Sequence, residues 1–155
     1  MKRFLPIFII FFISCSYGAN EEFEAVAEST NAFTESTFKY IDTSEAVVTE
    51  NFTDKKTIII FWADYWGVCR RELPVVEKEL TNISDEYDVI ALAHSQYEPT
   101  MEWVNENLNG NLTIGFSTPE LRDYFKIVGQ PISIVLDTNG EIISRTYGEI
   151  DLTNF

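Results

Sequence analysis

Few residues in this chain are equipped for covalent or metal chemistry. Of its 155 residues, two are cysteines, Cys15 and Cys69, and one is a histidine, His94. Two cysteines are too few for a disulfide-dense scaffold, and a single histidine excludes a His-rich metal site, so neither a metal nor a cofactor is expected. Cys69 follows an apolar stretch, Thr57 to Ala63, and a short aromatic loop, Asp64-Tyr65-Trp66-Gly67. From there Cys69, Leu73, Val76 and Leu80 recur at helical spacing, with Arg70, Arg71, Glu77, Lys78 and Glu79 on the other faces. That pattern predicts an amphipathic helix carrying Cys69 in its first turn, on the inward stripe with Leu73. A thiol so placed is normally buried and slow to react. His94 ends a predicted strand without clustered cysteines or carboxylates, and reads as a satisfied or exposed histidine rather than a ligand.

The elements that must position these residues form an α/β succession. Thr37–Ile41 alternates, Ala46–Val48 is β-prone, and the unbroken apolar run Thr57–Ala63 has the length of a strand buried on both faces. The helix after Gly67 contains Pro74, which removes one backbone hydrogen bond and predicts a kink. Val89–Ala93 reads as a second buried strand and Pro99–Leu108 as a helix ended by Asn109-Gly110. Thr113–Phe116 reads as a short strand and Pro119–Tyr124 as a short helix. Ile132–Leu136, then Asp137-Thr138-Asn139-Gly140, then Glu141–Tyr147 reads as strand, turn, strand, Asn-Gly being a strong hairpin signal. This order implies a mixed central sheet with helices on both faces.

Composition narrows the partners. With 11 Lys+Arg against 25 Asp+Glu the formal charge is -14, which opposes binding to nucleic acid or to an anionic membrane surface. A hydrophobic fraction of 45% excludes disorder of the whole chain, and the length suits one domain.

The N-terminus has the layout of a bacterial-type export signal over residues 1–18: Lys2-Arg3, an apolar run from Phe4 to Ile13, then small and polar residues to Ala19. About ten apolar residues make roughly 15 Å of helix, half of a hydrocarbon core about 30 Å thick, so a mature membrane span is disfavoured. Phe12-Ile13-Ser14-Cys15 resembles the lipobox of bacterial lipoproteins, which implies lipidation of Cys15, with Phe12 where that motif prefers Leu. Cleavage after Gly18, leaving no lipid, is the alternative. Either route places the remainder outside the cytoplasm, in the periplasm or cell envelope, touching the membrane only through an N-terminal lipid. Residues 19–36 read as an acidic tether and 37–155 as the domain.

The segment Phe61-Trp62-Ala63-Asp64-Tyr65-Trp66-Gly67-Val68-Cys69-Arg70-Arg71-Glu72-Leu73-Pro74 resembles the active-site segment of thioredoxin-like proteins of the TlpA/ResA type, FWAxWCGPCRxExP. Tyr124, the loop Val128-Gly129-Gln130-Pro131-Ile132-Ser133 and Val135-Leu136-Asp137-Thr138-Asn139-Gly140 resemble further landmarks of that family in the same order. The resemblance covers roughly residues 38–148. It implies a thioredoxin-like fold, a cis bond before Pro131, and thiol-disulfide exchange with cysteine-containing extracytoplasmic proteins.

One departure bears directly on activity. Aligned on Gly67 and Cys69, the sequence has Trp66 where the family has its first, nucleophilic cysteine, and Val68 where it has the intervening proline. An indole cannot become a thiolate, so the dithiol–disulfide cycle cannot run within this chain. Cys69 occupies the resolving position and is either a core residue or a slow monothiol. Cys15 is blocked if lipidated and lost if cleaved, so it supplies no partner. By resemblance Gln130 and Pro131 border a groove that pairs with an extended substrate strand, and Tyr65 and Trp66 add an apolar platform beside it. Trp62 is either part of that platform or core. Glu72 is either a proton acceptor near the thiol or a solvated helix residue.

Copper-chaperone and peroxidase readings fail for want of a paired-cysteine set and of a peroxidatic cysteine at Asp64–Trp66. The tripeptides at Asn51, Asn82 and Asn111 match glycosylation acceptors and are taken as chance. The chain stops where related folds continue into a closing helix, which predicts exposed apolar sheet there. Two functions remain: an exported thiol-disulfide oxidoreductase relative with weak or lost redox activity, and a non-catalytic peptide-binding module on the same scaffold.

Overall fold

Strand β3 (Lys56–Trp62) is buried from Thr57 onward, as an apolar run with no polar face requires. The computed structural model describes residues 37–149 and residue 152; the readings of residues 1–36 as signal, lipidation site at Cys15 and tether lie outside them. Around β3 the remaining elements are β1 (Thr37–Asp42), β2 (Val47–Asn51), α1 (Gly67–Ile83), β4 (Tyr87–Ala93), α2 (Tyr97–Asn107), β5 (Thr113–Phe116), α3 (Pro119–Phe125), β6 (Ile132–Leu136) and β7 (Ile142–Tyr147). The sheet order is β2-β1-β5-β4-β3-β6-β7. Strand β4 lies parallel to β3 on one side and to β5 on the other, whereas β6 lies antiparallel to β3 and β7 antiparallel to β6. The result is the expected mixed α/β sheet with helices on both faces.

Alternation along β3 divides the core. Ile58, Ile60 and Trp62 face α1 and α2, packing with Cys69, Leu73, Val76 and Trp103, while Ile59 and Phe61 face α3 with Leu121 and Phe125. The Trp62 and Trp103 rings lie 5.3 Å apart, tilted, one contact through which α2 is held to the sheet. Gly115 allows β5 to approach β1: a Cβ there would stand 2.5 Å from the Tyr40 ring and 2.8 Å from the Ile41 carbonyl oxygen. In the hairpin, Gly140 takes φ +81° and donates to the Asp137 carbonyl at 3.0 Å, as an Asn-Gly turn demands.

One helix start departs from the sequence pattern. Helix α2 begins at Tyr97 rather than Pro99, because proline is tolerated in a first turn, where its missing N–H has no partner to lose. As the stripe through Val76 and Leu80 requires, Pro74 lies inside α1, a helix of 17 residues, and removes only the bond to the Arg70 carbonyl.

Glu77 is a correction. Expected on the polar face of α1, it is 5% exposed and lies on the core side. Its carboxylate accepts from the backbone amides of Asn109 (2.8 Å), Asn111 (2.8 Å) and Leu112 (3.4 Å), and from the Asn109 side chain (3.1 Å). Burial alone raises its pKa, but these donors outweigh burial and hold it below the ordinary 4.5. The loop between α2 and β5 turns its amides inward, and only an acceptor arriving from α1 satisfies them.

Glu77→Ala is therefore expected to lower stability by about 2–3 kcal/mol at neutral pH in urea denaturation, since three amides lose a charged acceptor. Because the folded-state pKa lies below the unfolded one, Glu77 contributes fully above the unfolded value and its contribution fades as pH falls through the folded value. The stability gap between native and variant proteins should therefore narrow below about pH 4. A gap independent of pH would show that the carboxylate charge is not what the loop requires.

Candidate functional site

The antiparallel pairing of β6 with β3 sets Ile132 opposite Phe61. The loop leaving β3, residues 63–66, therefore lies beside the loop entering β6, residues 126–131. Tyr65 confirms the juxtaposition, its hydroxyl accepting from the Gln130 side-chain amide at 3.0 Å. The Gln130–Pro131 peptide bond is cis. Pro131 is buried, and its carbonyl accepts from the Gly148 amide at 3.0 Å, which anchors the loop to the end of β7. Gln130 is partly exposed and makes no backbone–backbone hydrogen bond among the described residues.

Trp66 is the N-cap of α1, with extended backbone (φ -98°, ψ 113°) and no side-chain cap bond, since an indole has no acceptor to offer. Its carbonyl accepts the Arg70 amide at 3.1 Å, and the ring is 47% exposed. Tyr65 is 62% and Val128 86% exposed, so three large apolar side chains stand at this one sheet end. Val128 was not singled out from the sequence; a valine just before Gly-Gln-Pro, in a loop with no apolar periodicity around it, was the available signal.

Cys69 lies beneath this surface and does not belong to it. It is fully buried among Trp62, Leu73 and Trp103, in the core between α1 and the sheet. Burial pushes the thiol up from its ordinary 9.0; hydrogen bonding with the backbone at Ala63 and at Cys69 itself opposes the rise, and the Glu72 charge adds to it. Both terms needed for nucleophilic work, access and ionisation, are thus unfavourable. Glu72 is half-buried on α1, and its only indicated effect on the thiol, through its charge, disfavours the thiolate. Trp62 is fully buried and contributes to the core rather than to a platform.

His94 follows the end of β4, is exposed, and anchors its backbone by donating to the Trp62 carbonyl at 2.8 Å. Partial desolvation, and then the Arg122 charge, hold its pKa below 6.5. Among the described residues no three of His, Cys, Asp or Glu gather as a metal site would require, and no helix is long and apolar enough to cross a membrane.

Against known proteins, no protein-family model and no curated protein matches the sequence. Solved structures do. The thioredoxin domain of a thiol-disulfide oxidoreductase from Bacteroides vulgatus is similar at TM-score 0.65 and 21% identity, over 80% of this chain and 93% of that one. StoA from Bacillus subtilis is similar at TM-score 0.61 and 21% identity, over 76% and 91%. The pneumococcal exposed lipoprotein thioredoxin Etrx1 of Streptococcus pneumoniae is similar at TM-score 0.63 and 18% identity, over 74% and 91%. The protein has the thioredoxin-like fold.

Alkylation of Cys69 by iodoacetamide at pH 8 should be slower in the folded domain than in denatured chain by about a hundredfold or more, since it needs local opening of the core. A folded-state rate near the denatured one would place the sulfur at the surface.

Proposed function

We propose that this chain descends from exported thiol-disulfide oxidoreductases, has lost the dithiol cycle, and retains the scaffold as a module that binds an extended peptide segment. The observation carrying this reading is the separation of the two candidate features: an exposed Trp66 at the helix N-cap beside Tyr65 and Gln130, and a Cys69 wholly buried below it. A redox role needs the sulfur at the surface and ionised, whereas a binding role needs an apolar face with free main-chain groups next to it.

Tyr65, Trp66 and Val128 supply large exposed contact area, and in this reading the Gln130 main-chain amide and carbonyl receive an added strand. The acidic chain favours a neutral or basic segment. The export-signal layout of residues 1–18 and the lipobox-like Cys15 support an extracytoplasmic place for this binding, as does the likeness to structural neighbours such as the exposed lipoprotein thioredoxin. The partner is then an extracytoplasmic protein or peptide, with or without cysteine.

Trp66 is the exposed one of the three tryptophans, Trp62 and Trp103 being buried, so its fluorescence reports on this face. Screening an array of extended peptides should yield ligands that shift this emission. Trp66→Ala should weaken their binding about tenfold or more by calorimetry, while Cys69→Ala leaves it unchanged. The native chain should not reduce insulin disulfides. Peptide capture that depends on Cys69 and is reversed by a thiol reductant would overturn the non-covalent reading and restore a monothiol one.

A further inference from the structure

A cleft lies at the same sheet margin as the Trp66 face, between the ends of strands β4 and β5. Both strands are parallel and end at the same sheet margin, at Ala93 and Phe116. The chain leaving β4 enters α2 on one face of the sheet, and the chain leaving β5 enters α3 on the other. Where consecutive connections diverge to opposite faces, the strand ends leave a crevice, and in open α/β sheets that is where ligands bind. Here the crevice has a volume of about 400 Å³, within the range of small-molecule sites.

Its walls combine an apolar body with one cationic end. Ile41, Tyr97, Phe116 and Pro119 provide apolar surface, and His94 and Arg122 provide the polar end. Arg122 donates through one Nη to the carbonyl and to the hydroxyl (3.0 Å) of Ser117, which fixes the guanidinium in place. That hydroxyl lies 3.1 Å from the Ala93 carbonyl at the end of β4, so the cation is held against both strands. Among the described residues no carboxylate stands within 4.0 Å of the guanidinium. In a chain of net charge -14, an arginine half-buried at a cleft without an acidic partner is conspicuous. Its remaining N–H groups match a carboxylate in fork geometry.

We infer that this cleft binds a small organic acid, its aromatic or branched body against Tyr97, Phe116 and Ile41 and its carboxylate on Arg122 beside His94. Inorganic phosphate carries the anionic charge but leaves the apolar walls uncovered, so the walls select an organic body. Glu45, exposed on the rim, repels a second negative charge and disfavours diacids. The inference stands independently of the peptide-binding reading, which uses neither Arg122 nor Phe116.

His94 provides the readout, because it is the only histidine and its ring protons form a single titrating set in the NMR spectrum. The titratable or charged groups around it are Arg122, Glu45 and Tyr97 in this cleft, and Asp64 and Tyr65 in the adjoining one, which shares His94 and Ser95. With the probe phenylacetate bound, the new carboxylate should shift the His94 titration upward, saturably, and binding should tighten as pH falls through that titration. Phenylacetamide and inorganic phosphate should produce no comparable saturable shift. Arg122→Gln should weaken phenylacetate about tenfold or more.

The inference is overturned if phenylacetate leaves the His94 titration unmoved, or if phenylacetamide or phosphate moves it as far. Undiminished binding by a folded Arg122→Gln variant would overturn it too. Should that variant fail to fold for want of the Ser117 bonds, Glu45→Gln on the exposed rim decides: several-fold tighter phenylacetate binding is expected, and unchanged or weaker binding overturns the assignment.

Discussion

The structure depends on the central position of β3, paired in parallel with β4 on one side and antiparallel with β6 on the other. Parallel pairing brings the carboxyl end of β3 level with those of β4 and β5. Antiparallel pairing brings the amino end of β6 to the same margin. Every feature with functional promise therefore collects along one edge: the Tyr65–Trp66 loop, the Gln130–Pro131 loop, His94, and the crevice before Arg122. The strand can hold this position only because it is buried on both faces, which its run of Ile58, Ile59, Ile60 and Phe61 allows.

From that arrangement the division between surface and core at α1 follows. The helix starts at Gly67, immediately after the strand margin, so its N-cap Trp66 is thrown outward while Cys69, three residues on, turns in beneath it. One helical turn separates an exposed indole from a fully buried sulfur. The same helix places Glu77 on its inward side, two turns further from the margin, where it satisfies the amides of the loop entering β5. Helix α1 thus secures the strand layout at both ends, by apolar contact near the site and by a charged acceptor remote from it.

Much of the fold was legible in the residues. The both-faces-buried β3, the 3.6-residue stripe of α1, the Asn139-Gly140 hairpin and the order of strands and helices all follow from local periodicity and turn chemistry. Ends shifted by up to three residues, at Tyr97 because a proline near a helix start does not mark its first residue. Glu77 was misplaced for a different reason. Its charge assigns it to solvent unless some distant group compensates, and the compensating amides of Asn109, Asn111 and Leu112 lie more than thirty residues away.

The sequence by itself determined that the loop entering α1 carries no sulfur at Trp66, whatever its surroundings, and that Cys69 rides the inward stripe of a helix. It also determined an acidic chain with a central apolar strand, because composition and periodicity are local properties. Tertiary structure alone decided that the Tyr65 hydroxyl bonds the Gln130 side chain, that Val128 stands exposed, and that Arg122 lines a cleft with no carboxylate of the described residues within 4.0 Å of its guanidinium. Those are relations between segments brought together by strand pairing. Their energies depend on distance and burial, which no single stretch of sequence carries.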